Sequence, residues 1–200
     1  NHIKFFLYIK KEFKPDITIT DFDTWTFLYS KLNNIPIISN DNNQMVSRCI
    51  HEKKFLKGHK LDFVLNKIVA RNKNRECDHY FIQSFFFPQE KLKNTNVIDA
   101  LLRKEILQAS KRAEYKGHIL VYLSNGLKEE HIETFKQIPE EDFVVYDGRV
   151  DKEKQEANVA FKKFNSANFI EDLRTCRFLI THGGFTTTCE GIVMKKPMLT

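Results

Sequence analysis

The sequence predicts an α/β protein built from two doubly wound parallel sheets. Three observations lead there: short apolar runs such as Ile119–Leu123 and Phe178–Thr181, helical periodicity between such runs, and connections too short for anything but parallel crossovers. The elements follow in chain order. Ile3, Phe6, Leu7, Ile9 and Phe13 recur at helical spacing, and Pro15-Asp16 ends that helix. Ile17–Thr20 is a β-rich run, Thr24 caps a helix through Trp25, Leu28, Tyr29 and Leu32, and Asn33-Asn34 closes it before the strand Ile35–Ser39.

Leu56–Val69 reads as another amphipathic helix and His79–Ile82 as a strand, which leads into the aromatic run Phe85–Phe87. A buried core or a domain interface is favoured for those rings over an apolar acceptor groove. Residues 89–117 are polar and basic, hold a short helix over Leu101–Ala109, and read as an interdomain connection. A fresh α/β unit then begins with the strand Ile119–Leu123 and the turn Ser124-Asn125-Gly126. Helix Glu129–Ile138, strand Phe143–Tyr146, strand Val159–Phe161 and helix Asn168–Thr175 precede a strand–turn–helix over 178–194. Two such units imply two Rossmann-like halves, with no solenoid repeat.

Composition bounds the function. A hydrophobic fraction of 42% with 29% charged residues describes a globular chain, and 18 Phe against 7 Gly and 5 Pro favours packed elements over linkers. The net charge of +6 is spread along the chain, with enrichment at Lys53-Lys54, Lys57–Lys60 and Lys67–Arg75. Without a zinc finger, an RNP-like motif or a basic tail, nucleic acid is set aside; a solvated face comes first and a membrane surface second. Cys49, Cys77, Cys176 and Cys189 form no CxxC pair, which suggests a reducing, cytoplasmic setting. Cys77-Asp78-His79 lacks the second pair a zinc site needs, so no metal is expected. There is no signal peptide or transmembrane span, and the chain opens on Asn in helical periodicity, so it reads as an internal fragment.

The densest chemistry lies at 182–190. Gly183 and Gly184 allow close backbone approach or positive φ, and Thr186, Thr187 and Thr188 place hydroxyls beside unpaired N–H groups at a helix start. His182 can donate to a phosphate oxygen, and Glu190, one turn after Thr186, can accept from both hydroxyls of a ribose. A nucleoside diphosphate fits this order of groups better than a plain tight turn does. The spacing is neither GxGxxG nor a P-loop. In the first half, Asp21 and Asp23 sit at a strand's carboxyl end; either could serve as a general base, though capping or ordering the turn is the favoured role.

Residues 178–199 (FLITHGGFTTTCEGIVMKKPML) resemble the donor-binding motif of GT-B glycosyltransferases. PDITITDFDTWTFLYSKLNNIPIISND, FIQSFFFP, LLRKEIL, ILVYLSNG and NVAFKKFNSANFIEDLRTCRFLITHGGFT are similar to segments of one branch, the bacterial and archaeal relatives of the muramyl-pathway N-acetylglucosaminyltransferase. The resemblance implies a GT-B fold with both domains incomplete. Residues 1–102 would be the back part of the acceptor-side domain and 103–200 the front of the donor-side domain. By position it assigns His182, Gly183, Gly184, Thr186, Thr187, Ser124, Asn125 and Gly126 to the diphosphate, Glu190 to the ribose, and Phe164 and Asn165 to the base. Two departures stand out: Asn40–Met45 lacks the histidine that the branch often carries there, and Asp99–Leu102 lacks prolines before Arg103-Lys104-Glu105.

The expectation is therefore metal-independent transfer of a sugar from a nucleotide-sugar, a UDP-sugar by resemblance, to a glycan, lipid-linked or cell-envelope polymer acceptor. The protein would need no cofactor and would work in the cytoplasm or at the inner face of the membrane. A GT-B nucleotide-sugar epimerase and a non-catalytic nucleotide-sugar-binding module are the alternatives. The 200 residues alone are expected to show little catalysis.

Overall fold

A computed structural model describes residues 2–115, 117–123 and 126–200. It divides the chain into two compact units, residues 1–100 and 101–200.

The first unit opens with helix α1 (His2–Tyr8), which widens into a π-turn at Ile9–Phe13. Strands β1 (Thr18–Thr20), β2 (Ile37–Asp41), β3 (His79–Ser84) and β4 (Thr95–Asp99) form one parallel sheet in that order. Helix α2 (Thr24–Asn33) joins β1 to β2; α3 (Met45–Arg48), a 3₁₀ turn at Lys53–Leu56 and α4 (Lys60–Lys73) join β2 to β3. The core is small, with Ile37, Cys77 and Tyr80 in one cluster and Met45, Cys49 and Ile82 in another.

The second unit starts with α5 (Lys104–Ser110) and β5 (Ile119–Tyr122), then α6 (Glu129–Lys136) and β6 (Phe143–Tyr146). A hairpin of β7 (Lys154–Glu156) and β8 (Val159–Lys162) leads to α7 (Ser166–Thr175), β9 (Phe178–Thr181), α8 (Phe185–Val193) and β10 (Met198–Leu199). The strand order is β10-β9-β5-β6-β8-β7, parallel except for the β7–β8 pair. Both faces are covered, so alternate residues serve opposite cores. Leu120 and Val144 pack with Phe169, Leu173 and Leu179, while Val121 and Val145 pack with Leu127, Phe143 and Phe161. That burial on two sides is why β5 and β6 read as unbroken apolar runs.

Several elements depart from the sequence reading. The stretch 89–117 is not only a connection, because it contains β4. Thr95-Asn96-Val97-Ile98-Asp99 has just two apolar residues; an edge strand half exposed to solvent needs no more. β7 is missed for a similar reason, since Lys154-Gln155-Glu156 carries no β signal and pairs as a strand with β8. Asp23, not Thr24, caps α2: its Oδ2 accepts from the Thr26 N–H at 2.7 Å, and its φ of −95° and ψ of 130° are those of an N-cap. Phe85, Phe86 and Phe87 are exposed rather than buried in a core.

Candidate functional site

The second unit changes direction at β5. From β5 the chain runs outward to β6 and β8, then returns through α7 to β9 on the other flank of β5. The turns after β5 and β9 therefore leave the carboxyl edge on diverging paths and open a crevice, which is where doubly wound sheets hold ligands. His182, Gly183 and Gly184 form the turn after β9, all exposed, and α8 begins directly behind them.

Gly183 takes a φ of +72°, so the turn depends on it, whereas Gly184 has a φ of −58° and serves as N-cap of α8. A side chain added at Gly184 would meet nothing within 4 Å, so that backbone stands open to a ligand. The Gly184 carbonyl accepts from the Thr188 N–H at 3.0 Å, the first bond of the helix ladder, and the turn ahead of it presents N–H groups with no intrahelical acceptor. Together with the helix dipole these favour an anion. Thr186 is exposed and Thr187 half-buried at that end, while the Thr188 hydroxyl is buried without a hydrogen-bond partner.

Glu190 is not the open carboxylate that its spacing suggests. It is 2% exposed, and its Oε1 accepts from Arg103 Nε at 3.0 Å and Nη2 at 2.7 Å. Arg103 Nη1 donates in turn to Ser166 Oγ at 2.7 Å, at the start of α7. Sequence reading passed over Arg103 because its partner lies 87 positions away. The pair fixes the carboxylate rotamer one helical turn after Thr186.

Phe164 follows β8 and is 48% exposed. Its ring lies 5.9 Å from Tyr122, 6.1 Å from Tyr146 and 5.7 Å from Phe169, so one aromatic face stands beside the crevice on a buried aromatic base. Asn165 caps α7, its Oδ1 accepting from the N–H groups of Ala167 at 2.9 Å and Asn168 at 3.2 Å. Its backbone carbonyl is also engaged, accepting from the Phe169 N–H at 2.9 Å, which leaves the backbone N–H and the amide nitrogen for recognition.

In the turn after β5, Ser124 and Asn125 lie outside the described residues. Gly126 has a φ of +80°, and a Cβ there would meet the Arg149 guanidinium at 2.7 Å. That guanidinium pairs with Asp147 and donates from Nη2 to the Leu127 carbonyl at 2.5 Å, while Leu127 N–H donates to Asp147 Oδ2 at 3.1 Å. Gly126 thus lets the Arg149–Asp147 clamp close over the loop. Arg149 above all, with the N–H groups of Arg149 and Leu127, holds the Asp147 carboxyl far below the usual carboxylate range against the opposing effect of burial. The clamp's contribution is present above pH about 4, where an unfolded Asp ionises, and is lost as pH falls below it. Asp147→Asn is expected to cost about 1–3 kcal/mol at neutral pH and to flatten the acid limb of stability. Urea unfolding of wild type and variant between pH 7 and pH 3 checks both.

In the first unit Asp23 is committed to its cap. Burial raises its pKa, but the Thr26 N–H and hydroxyl and the Trp25 N–H outweigh this and leave it below the ordinary value. A carboxylate held that way is a weak base. Asp21 is exposed at the same strand end. The site residues of the two halves belong to separate units. All four cysteines are free and buried, and burial pushes Cys77, Cys176 and Cys189 up to about 11, so none is a ready nucleophile. Among the described residues no three His, Cys, Asp or Glu side chains are grouped to hold a metal ion.

Comparisons with known proteins agree with this fold. Among solved structures, the glycotransferase of kitacinnamycin is 16% identical with a TM-score of 0.53, covering 98% of this chain and 60% of its own. The spinosyn forosaminyltransferase SpnP is 12% identical with a TM-score of 0.53, covering 99% and 59%. The glycosyltransferase SnogD from Streptomyces nogalater is 11% identical with a TM-score of 0.51, covering 98% and 56%. At these identities the likeness shows the fold, two Rossmann-like domains of the GT-B type, and the chain spans about three-fifths of the length of the first two structures. No curated protein matches the sequence. The model of the family described as "Glycosyl transferase family 1" matches residues 1–200. That match is to the broad family and does not single out the muramyl-pathway branch. With the whole chain matched, the protein belongs to glycosyl transferase family 1.

Proposed function

We propose that the protein transfers a sugar from a UDP-sugar to a glycan, lipid-linked or cell-envelope polymer acceptor, at the inner face of the membrane. One observation carries this reading: the His182-Gly183-Gly184 turn and the amino end of α8 stand at the point where the sheet changes direction. Residues 103–200 form the donor side and residues 1–102 the acceptor side. The diphosphate rests on the α8 end, His182, Gly183, Gly184, Thr186 and Thr187, and Ser124, Asn125 and Gly126 also belong to its site by resemblance. The base lies against Phe164 and the backbone at Asn165.

Donor entry draws Arg103 off Glu190 Oε1, so that the carboxylate accepts from the ribose hydroxyls and the freed guanidinium turns to the diphosphate. The acceptor oxygen attacks the anomeric carbon, the bond from that carbon to the diphosphate oxygen breaks, and the electron pair leaves with the diphosphate. The helix end and Arg103 stabilise that departing charge without a metal ion. Asp21 is the more available candidate in this chain to take the acceptor's proton.

Membrane contact falls to the region of α4. Lys53, Lys54, Lys57 and Lys60 there adjoin exposed Leu61, Val64, Leu65 and Ile68, a basic and apolar surface suited to anionic lipid. No described helix is long and apolar enough to cross a membrane.

Product analysis of the intact protein with a panel of UDP-sugars and extracted acceptors tests the reading. A glycosylated acceptor formed in step with UDP supports it. A UDP-sugar of altered configuration makes the protein an epimerase, and binding without turnover makes it a nucleotide-sugar-binding module.

A further inference from the structure

The first unit contains a cavity of about 450 Å³ between α3, the carboxyl end of α4 and the segment entering β4. Six cationic side chains line it, Arg48, Lys67, Arg71, Arg75, Lys91 and Lys93, against one carboxylate, Glu76. That carboxylate already faces Arg75 at 3.4 Å. Walls of one sign around a concave volume focus potential into it.

One side chain at the cavity is buried without a hydrogen-bond partner, and a second, half-buried, carries a charge with no carboxylate beside it among the described residues. Asn74 is 1% exposed, and neither its amide oxygen nor its amide nitrogen has a hydrogen-bond partner. Its backbone carbonyl accepts from the Tyr80 hydroxyl at 2.9 Å and from the Cys77 thiol at 3.6 Å. A buried amide left without partners is destabilising, so a ligand that pairs with it is the economical explanation. Arg48 lies with its guanidinium carbon 3.5 Å from the Tyr80 ring centre, its Nε donating to Thr95 Oγ1 at 2.8 Å and its Nη2 to the Lys93 carbonyl at 2.7 Å. No carboxylate pairs with it among the described residues. Burial pulls its pKa below the ordinary guanidinium value, a penalty that an anion in the cavity would relieve.

We propose that this cavity is a second ligand site, which binds a phosphate-bearing anion through Arg48, Arg71, Lys93 and the Asn74 amide. Planar guanidinium groups and ammonium groups converging on one volume suit phosphate oxygens. The volume exceeds that of a phosphate and leaves room for an organic substituent. The site lies toward the amino ends of β3 and β4, whereas the donor crevice belongs to the carboxyl edge of the other sheet, so the inference stands apart from the sugar-transfer reading.

The test is hydrogen exchange of the intact protein with inorganic pyrophosphate at constant ionic strength, followed by vesicle flotation. Wild type is expected to gain protection at residues 44–48 and 71–80. Asn74→Leu and the double variant Arg71→Gln/Lys93→Gln are expected to bind pyrophosphate at least tenfold more weakly. Asn74→Leu should melt no lower than wild type without ligand, because it removes the orphaned amide; the double variant changes only cationic side chains on the lining and tests the site even if Asn74→Leu misfolds. Protection by pyrophosphate assigns a soluble phosphate ligand. Flotation with phosphatidic acid vesicles, lost in the double variant and without a response to pyrophosphate, assigns the phosphate to a lipid headgroup. The proposal is overturned by protection confined to residues 182–188, by equal binding in both variants, or by no response to either probe.

Discussion

Replacing Glu190 with alanine is expected to weaken UDP binding by about 10- to 100-fold, the equivalent of losing one or two hydrogen bonds to a charged acceptor. The same substitution strands Arg103. Since the Arg103 side chain is 40% exposed, water compensates most of its charge, and the cost in stability is about 1 kcal/mol. Binding should therefore fall far more than folding does, and calorimetry set beside thermal unfolding separates the two. Glu190→Gln keeps the shape and one acceptor oxygen, so it should fall between wild type and alanine. Unchanged UDP affinity in the alanine variant would remove Glu190 from the ribose site and leave it as a packing partner of α5.

Lys196→Met is expected to lower stability by about 3 kcal/mol. Lys196 is 4% exposed, and its ammonium donates to the carbonyls of Arg174 and Cys176, each at 2.7 Å, and of Glu114. It also lies 4.8 Å from the centre of the Tyr115 ring. One side chain thus ties the segment after α5 to the end of α7 and the entry to β10. Methionine fills the space but takes that donor from three carbonyls; the Arg174 carbonyl keeps the Glu114 N–H at 2.9 Å, while the loss at each of the other two costs on the order of 1–3 kcal/mol. Release of the buried charge offsets part of the loss. Urea unfolding of the variant measures the balance, and a midpoint equal to that of wild type would show that the three bonds do no more than cover the cost of burying the lysine.

What the sequence disclosed depended on how its residues are buried. β5, β6 and β9 were legible because both faces of their sheet are covered, which forces unbroken apolar runs. The turn after β9 was legible because glycines and hydroxyls adjacent in sequence are adjacent in space. β4 and β7 were not, since an edge strand and a polar hairpin strand need no apolar pattern. Side-chain roles set by distant partners stayed hidden. Lys196 reads as one of two ordinary lysines before Pro197, and Arg103 as part of a basic linker. Asn74 sits in the polar run Arg71–Arg75, and nothing in that run shows that it alone is buried while its neighbours line a cavity. The Phe85–Phe87 run is exposed, which removes the core half of its reading, because apolar character alone does not dictate burial.

On the proposed reading, the turn at His182–Gly184 and the carboxylate of Glu190 form a nucleoside diphosphate site. Calorimetric titration of the intact protein with UDP, in parallel with ADP, GDP and dTDP, tests it most directly. Saturable binding of UDP in preference to the others is the predicted result. A folded protein that takes up none of the four would mean that the turn only joins β9 to α8, and the sugar-transfer reading would fall with it.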